Sequence, residues 1–224
     1  MSTRRAPGSV DVTVTLGSTR PLPLERPVVL AAGPLGFGAE AASLVDLRTV
    51  GLFVTRGMSL AARRSGGVPR MVEVPGGLLH AVGRENPGID AVMERHGASW
   101  RAAPCAVAVS LVAATTEEMT RLLRRVGRRA DAFDVSAFEV DLTAPSDQLG
   151  GRRWEHELEA ALRLIVAARD GTDRPLIAKV SPQAAELRAL AEQCGDAGAE
   201  ILSVSGSTIG FVPDRARRRS ALAA

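Results

Sequence analysis

Short apolar runs return along this chain at intervals, and nearly every one is followed by a stretch with helical spacing. The runs are Val28 to Ala32, Gly51 to Thr55, Cys105 to Leu111, Ala137 to Leu142, Leu176 to Val180 and Ile201 to Ser205. Runs that are apolar throughout mark strands buried on both faces, and strands of that kind alternating with helices form parallel sheets. Helical segments follow at about Ala39 to Leu47, Gly88 to Glu94, Trp154 to Arg169 and Pro182 to Ala197. Thr115 caps another, with Glu118 three residues on in the capping-box spacing. A long insertion, roughly residues 57 to 87, interrupts the rhythm after the second strand. The regular repeat favours a (β/α) barrel over an open sheet. An eight-stranded barrel takes about 250 residues, and this chain has 224. The expectation is therefore an α/β fold of the (β/α)8 TIM-barrel type, incomplete, with about six of eight βα units.

The start of the chain has a different pattern. Val10, Val12, Val14 and Leu16 alternate with polar residues, and Gly17-Ser18 supplies a turn. Residues 9 to 26 thus read as a hairpin-like lid. Three regions result: an N-terminal extension with a β-hairpin at 1–26, a barrel domain at 27–212 and a basic tail at 213–224. The length permits one substantial core.

Composition excludes several functions. Aromatics make up 3% with no tyrosine, and the net charge is only +3, so base stacking has little material. Two arginine clusters, Arg124 to Arg129 and Arg215 to Arg219, carry no nucleic-acid motif. The first sits where a helix C-terminus attracts cations. Cys105 and Cys194 are far apart and read as buried free thiols, with no metal-ligand spacing. No apolar run is long enough for a membrane span, and Met1 to Arg5 opens no signal peptide. A cytoplasmic protein without membrane or nucleic-acid partners is expected. His96 and His156 lie on helical segments and read as surface residues.

One residue stands out at the strand ends, where a barrel collects its chemistry. Lys179 is the only lysine among 28 Lys and Arg, and it closes the apolar run Leu176-Ile177-Ala178-Lys179-Val180. An ammonium there is a compact charge with three donors, unlike the planar fork of arginine. Ala32-Gly33, Thr55-Arg56-Gly57, Ser110, Asp141 to Ser146 and Ser205-Gly206-Ser207 fall at the other strand ends. Two basic groups beside small residues suit an anion or an electron-rich ring.

The order of these segments resembles class 1 dihydroorotate dehydrogenases, in the version that pairs with an iron–sulfur/flavin subunit. Val28 to Gly38 resembles that family's first strand and turn, and Gly51 to Arg56 its second strand. Pro69 to Gly88 is similar to its substrate loop, and Ile177-Ala178-Lys179-Val180-Ser181-Pro182 to its fifth strand. The similarity runs collinearly from about residue 26 to 211. It implies a barrel that oxidises dihydroorotate to orotate in pyrimidine biosynthesis, with FMN as hydride acceptor. A separate electron-transfer subunit or a homo-oligomer is the implied assembly. Carried over by position, the FMN ring would meet Lys179, Ala32, Gly33, Arg56, Gly57, Ser110, Asp141 and Ser205. The substrate would meet Arg56, His80, Ala81, Val82, Gly83, Arg84, Gly206 and Ser207.

The chain departs from that pattern at several of these positions. The family's Asn-Ile-Ser-Cys-Pro-Asn, with its cysteine general base, is Asp141-Leu142-Thr143-Ala144-Pro145-Ser146 here. Ala144 has no proton acceptor. Thr143 should point to the other side from Ala144, and its hydroxyl would need a base of its own. Arg56 stands for a lysine, and Ser110, His80, Gly206 and Ser207 replace residues that fix orotate. His80 could act as a base near neutrality, or be a loop histidine with no special role. The segments expected to hold the FMN phosphate, after strands seven and eight, are not among the units found. The alternatives are a non-catalytic barrel relative that binds or assembles with a partner, or a degraded remnant.

Overall fold

The computed structural model describes residues 10–216 and 218–222. Residues 1–9, 217 and 223–224, which include the start of the expected N-terminal extension and parts of the basic tail, lie outside the described residues.

A short antiparallel hairpin comes first, β1 (Val14–Leu16) with β2 (Leu22–Leu24). The main chain then alternates β3 (Val29–Leu30), α1 (Ala39–Ala42) and β4 (Leu52–Val54). The insertion forms its own hairpin, β5 (Met71–Val74) and β6 (Gly77–His80). Alternation resumes with α2 (Ile89–Arg101), β7 (Ala106–Leu111), α3 (Thr116–Ala130), β8 (Val135–Asp141) and α4 (Leu158–Arg169). It continues through β9 (Leu176–Val180), α5 (Leu187–Asp196) and β10 (Ile201–Val204). Two short strands, β11 (Pro213–Asp214) and β12 (Arg219–Ser220), pair near the end.

The central sheet has the order β10-β9-β8-β7-β4-β3, and every pair in it is parallel. Each strand therefore lies beside the next one in sequence. A doubly wound sheet reverses its order and carries helices on both faces; this one does neither. Apolar side chains alternate between two cores. Phe53, Val107, Val109, Leu111, Phe138, Val140, Ala178 and Val180 pack outward against the helices. Leu52, Val54, Ala108, Ala137 and Ile177 face the other way, against Leu22 and Leu24 of the first hairpin.

The sheet is curled. Lys179 on β9 donates from its ammonium to the Ala32 carbonyl just after β3 at 3.4 Å. Four inter-strand steps separate β3 from β9. In a flat sheet, at roughly 4.8 Å per step, that is about 19 Å, far beyond the reach of one side chain. The fold is thus a curled, incomplete barrel of six parallel strands, as the sequence led us to expect.

Several local features differ from expectation for identifiable reasons. The helix expected over 39–47 stops at Ala42. Ser43 Oγ donates to the Glu40 carbonyl at 2.8 Å, capturing an acceptor that a continuing helix would use. The helix expected near 88–94 runs to Arg101 and buries Ile89, Val92, Met93, His96, Gly97 and Trp100 along one stripe. His96 is accordingly buried, not a surface residue, and its ring lies 5.6 Å from that of Phe37. His156 is exposed as expected. Cys194 is buried and Cys105 only half-buried; both are free thiols. The cap at Thr115 forms: its hydroxyl accepts from the Glu118 N–H at 3.0 Å. Glu118 accepts from the Ala114 N–H at 2.7 Å, one residue before the cap. The basic tail folds back through the β11–β12 pair and buries Leu222.

Candidate functional site

Strand β8 sets the site because its side chains alternate. Phe138, Val140 and Leu142 go to the helix-facing core, so Glu139 and Asp141 share the concave side with Ala137. Strand register then fixes their neighbours. Ser110 lies opposite Glu139, Asp141 opposite Lys179, and Lys179 opposite Ser203. One band of polar residues thus crosses four strands on a face that is otherwise apolar.

Lys179 is 5% exposed. Its long bond to the Ala32 carbonyl occupies one of three donors, and among the described residues no other partner accepts from it. Glu139, also buried, was passed over in the sequence because it sits inside an apolar run. A carboxylate alternating with Phe138 and Val140 was the available signal. Its Oε1 accepts from Ser110 Oγ at 2.7 Å. Burial pushes its carboxyl up to about 7, against the opposing pull of Lys179 and with a further push from Asp141.

Asp141 is more heavily engaged. It is 3% exposed and accepts from the Thr143 N–H at 3.0 Å and from Thr143 Oγ1 at 2.6 Å. Arg84 forms an ion pair with its other oxygen at 3.0 Å. The same Nη2 of Arg84 donates to Thr143 Oγ1 at 2.6 Å. Thr143 therefore has a carboxylate accepting its proton, the activating partner that a threonine hydroxyl requires. Ala144 turns the other way, fully buried in the helix-facing core. The position that resembles the cysteine base is absent from this face, and the loop presents Thr143 instead.

Arg84 reaches Asp141 because the insertion crosses the strand ends as a strap. Arg56 donates from Nε to the Glu85 carbonyl at 3.1 Å, and its N–H to the Gly36 carbonyl at 2.7 Å. Asn86 Oδ1 accepts from the Ser59 and Gly88 N–H groups. His80 Nε2 lies 2.7 Å from Ser207 Oγ, tying the strap hairpin to the loop after β10. That bond makes His80 a strap fastener.

The remaining expected residues divide. Gly33 and Gly206 have positive φ, and no atom lies within 4 Å of where a side chain would begin, so both border open space. Ser205 joins the band through Ser203 Oγ at 3.2 Å. Gly57 lies under Val112, where a Cβ would come within 2.7 Å of its side chain. Ala81 and Val82 use backbone groups inside the strap, with Arg70 and Ser65, and Gly83 turns there with φ 63°. No contact brings these three to Lys179.

No group of three or more His, Cys, Asp and Glu among the described residues could hold a metal. No described helix is long and apolar enough to cross a membrane. A hollow of about 290 Å³ lies at the opposite, N-terminal end of the strands, lined by Gly51, Cys105, Ala106 and Ser136 among others. Nothing in it resembles the charged band.

Comparison with known proteins identifies the family of the chain. The family model described as dihydroorotate dehydrogenase matches residues 19–211. The catalytic subunit of dihydroorotate dehydrogenase B (NAD(+)) from Pelobacter propionicus is 35% identical over 213 residues, covering 95% of this chain and 68% of the relative. The same subunit from Trichlorobacter lovleyi is 36% identical with the same coverage. That from Geotalea uraniireducens is 33% identical over 216 residues, 96% of this chain and 69% of the relative.

Proposed function

The chain belongs to the dihydroorotate dehydrogenase family, and we propose that its concave face holds the ring of FMN against Lys179 for an oxidation–reduction reaction. The observation that carries this reading is Lys179 itself. A buried ammonium with two unfilled donors is costly unless a partner meets it, and an electron-rich ring edge is such a partner. FMN, when bound, supplies hydride-accepting chemistry. The chain's own residues would orient the ring and balance its charge. Asp141 would oppose added negative charge on its own, but Arg84 and Thr143 tie up both its oxygens. Gly33 and Gly206 leave room for a flat group beside the ammonium.

The relatives are named as catalytic subunits, which supports an electron-transfer subunit, or a second copy of this chain, as partner. Oxidation of dihydroorotate in cytoplasmic pyrimidine biosynthesis is the setting this reading implies. A second reading, a non-catalytic relative that retains the scaffold for binding or assembly, is favoured by one observation: Ala144 occupies the base position and faces the core.

Flavin uptake separates the two. The purified chain is mixed with FMN, desalted and scanned for the visible absorbance of bound flavin, alongside Lys179→Met. Retention by the wild type and a loss of affinity on the order of tenfold to a hundredfold in the variant is the expected result. A chain that retains no flavin at any loading sinks the oxidoreductase reading.

A further inference from the structure

We propose that Glu139 acts through Lys179 as a proton-carrying counterion, so that the concave face takes an anionic or electron-gaining ligand together with one proton. The inference rests on the flavin reading for the identity of the ligand, and on the geometry of the face for the coupling of the two residues.

Both side chains are buried, and neither touches an opposite charge. Glu139 is 1% exposed and Lys179 5%. Lys179 donates to the Ala32 carbonyl, and among the described residues it forms no ion pair. Ser110 Oγ is the one described donor to Glu139, and Ser110 is itself held by the bond from its N–H to Thr55 Oγ1 at 3.1 Å. Register fixes how the two residues stand. Lys179 lies opposite Asp141, two residues along β8 from Glu139. They are therefore diagonal neighbours on one face, with backbones roughly 8 Å apart by strand spacing and rise. They share a charge balance without sharing a hydrogen bond.

The other charges facing Glu139 cancel. Asp141, on the same strand, is matched by Arg84 from the strap. The first hairpin and β7 turn Leu22, Leu24 and Ala108 to this face, and none of them ionises. Arg56 and His80 stand at the rim, bonded to the Glu85 carbonyl and to Ser207. Lys179 is left, and the proton on Glu139 decides whether its charge stands alone. With the proton in place the ammonium is uncompensated; once it leaves, the carboxylate neutralises the face. Burial holds that carboxyl up at about 7 against the pull of Lys179, so the proton exchanges near neutrality. Negative charge arriving beside Lys179 tightens the hold of Glu139 on its proton, and by linkage the proton tightens the hold on that charge. A unit charge about 8 Å away in a protein interior changes an equilibrium by roughly tenfold to a hundredfold.

Two measurements on the full chain test the coupling. In the flavin-free protein, carbon NMR of labelled glutamate follows the carboxyl signal that is missing from Glu139→Gln. It should titrate near neutrality in wild type and roughly one pH unit higher in Lys179→Met. A titration that ignores Lys179 overturns the proposal. With FMN bound, the midpoint potential is measured between about pH 6 and about pH 8.5. Wild type and Glu139→Gln should agree at the acid end, where both side chains are neutral. At the alkaline end the variant should lie higher by about 30 mV or more, which is tenfold for a two-electron couple. Ionisations of His80 and of the ring are common to both proteins and cancel in the difference. A gap that stays constant with pH overturns the proposal, because a packing role moves both ends alike. Should Lys179→Met fail to fold in a thermal melt, the potentials of Glu139→Gln decide. A chain that retains no flavin but shows the Lys179-dependent titration upholds the coupling and defeats the flavin reading. Bound flavin with a titration indifferent to Lys179 does the reverse.

Discussion

Replacing Glu139 with Gln should make the protein more stable at alkaline pH and change it little in acid. Glu139 is fully buried on the concave face, and burial raises its carboxyl from 4.5 to about 7. At about 1.4 kcal/mol per tenfold change in proton affinity, that rise corresponds to roughly 3 kcal/mol. The direction follows from proton counting. Between the two values the folded state holds a proton that the unfolded chain has released, so stability falls as pH rises from 4.5 toward 7 and levels off above. Below the lower value both states are protonated and no cost remains. Glutamine keeps the Oε1 acceptor for Ser110 Oγ and has nothing to ionise. Urea unfolding of wild type and Glu139→Gln should therefore show the variant ahead by about 3 kcal/mol near pH 8 and by less than about 1 kcal/mol near pH 5. A difference that stays constant across that range would refute the reasoning, since any packing change offsets both pH values equally.

Two further outcomes test the framework around the site. Glu200 accepts from Arg20 at 2.7 Å, Arg169 at 3.1 Å and the Leu176 N–H at 3.0 Å. Burial raises its carboxyl, but the Leu176 N–H and the two arginines outweigh that and leave it below the ordinary value. Its contribution is present above the unfolded value and is lost as pH falls through the depressed one. Glu200→Gln should thus cost roughly 1–3 kcal/mol near neutrality and less in acid, by urea melts at both pH values. Gly51→Ala should be severely destabilising by thermal melt, because its Cβ would fall 1.9 Å from the Arg26 carbonyl oxygen. Backbone must move to admit it, at a cost of about 1–3 kcal/mol or more.

The strands were legible because their runs are mostly apolar, too short for buried helices, and each is followed by turn residues and helical spacing. Lys179 was legible because composition isolated it. The partnership of Arg84 with Asp141 was not. It joins residues 57 apart in sequence, and depends on how the insertion crosses the strand ends, a tertiary event that leaves no periodicity. Thr143 was expected on the opposite side from Ala144, and the structure agrees; the carboxylate that accepts its proton, Asp141, lies two residues away and was expected only among the groups that meet the flavin ring. Glu139 was hidden by its apolar neighbours. His96 was misplaced because the buried stripe of α2 includes a histidine and a glycine, neither of which registers as apolar.

The first hairpin links distant parts of the chain, and this bears on the order of folding. Each strand of the sheet pairs with the sheet strand that precedes or follows it along the chain, so the sheet can grow one unit at a time, with one long closure between β4 and β7. Arg20 meets Glu200 across 180 residues, and Leu22 packs in a core that reaches Ile177 and Ile201. Those contacts have nothing to hold until β9 and β10 are in place. Docking of the hairpin is therefore a late event that reports a finished sheet. Substitutions at Arg20 should accelerate unfolding while leaving the refolding rate nearly unchanged.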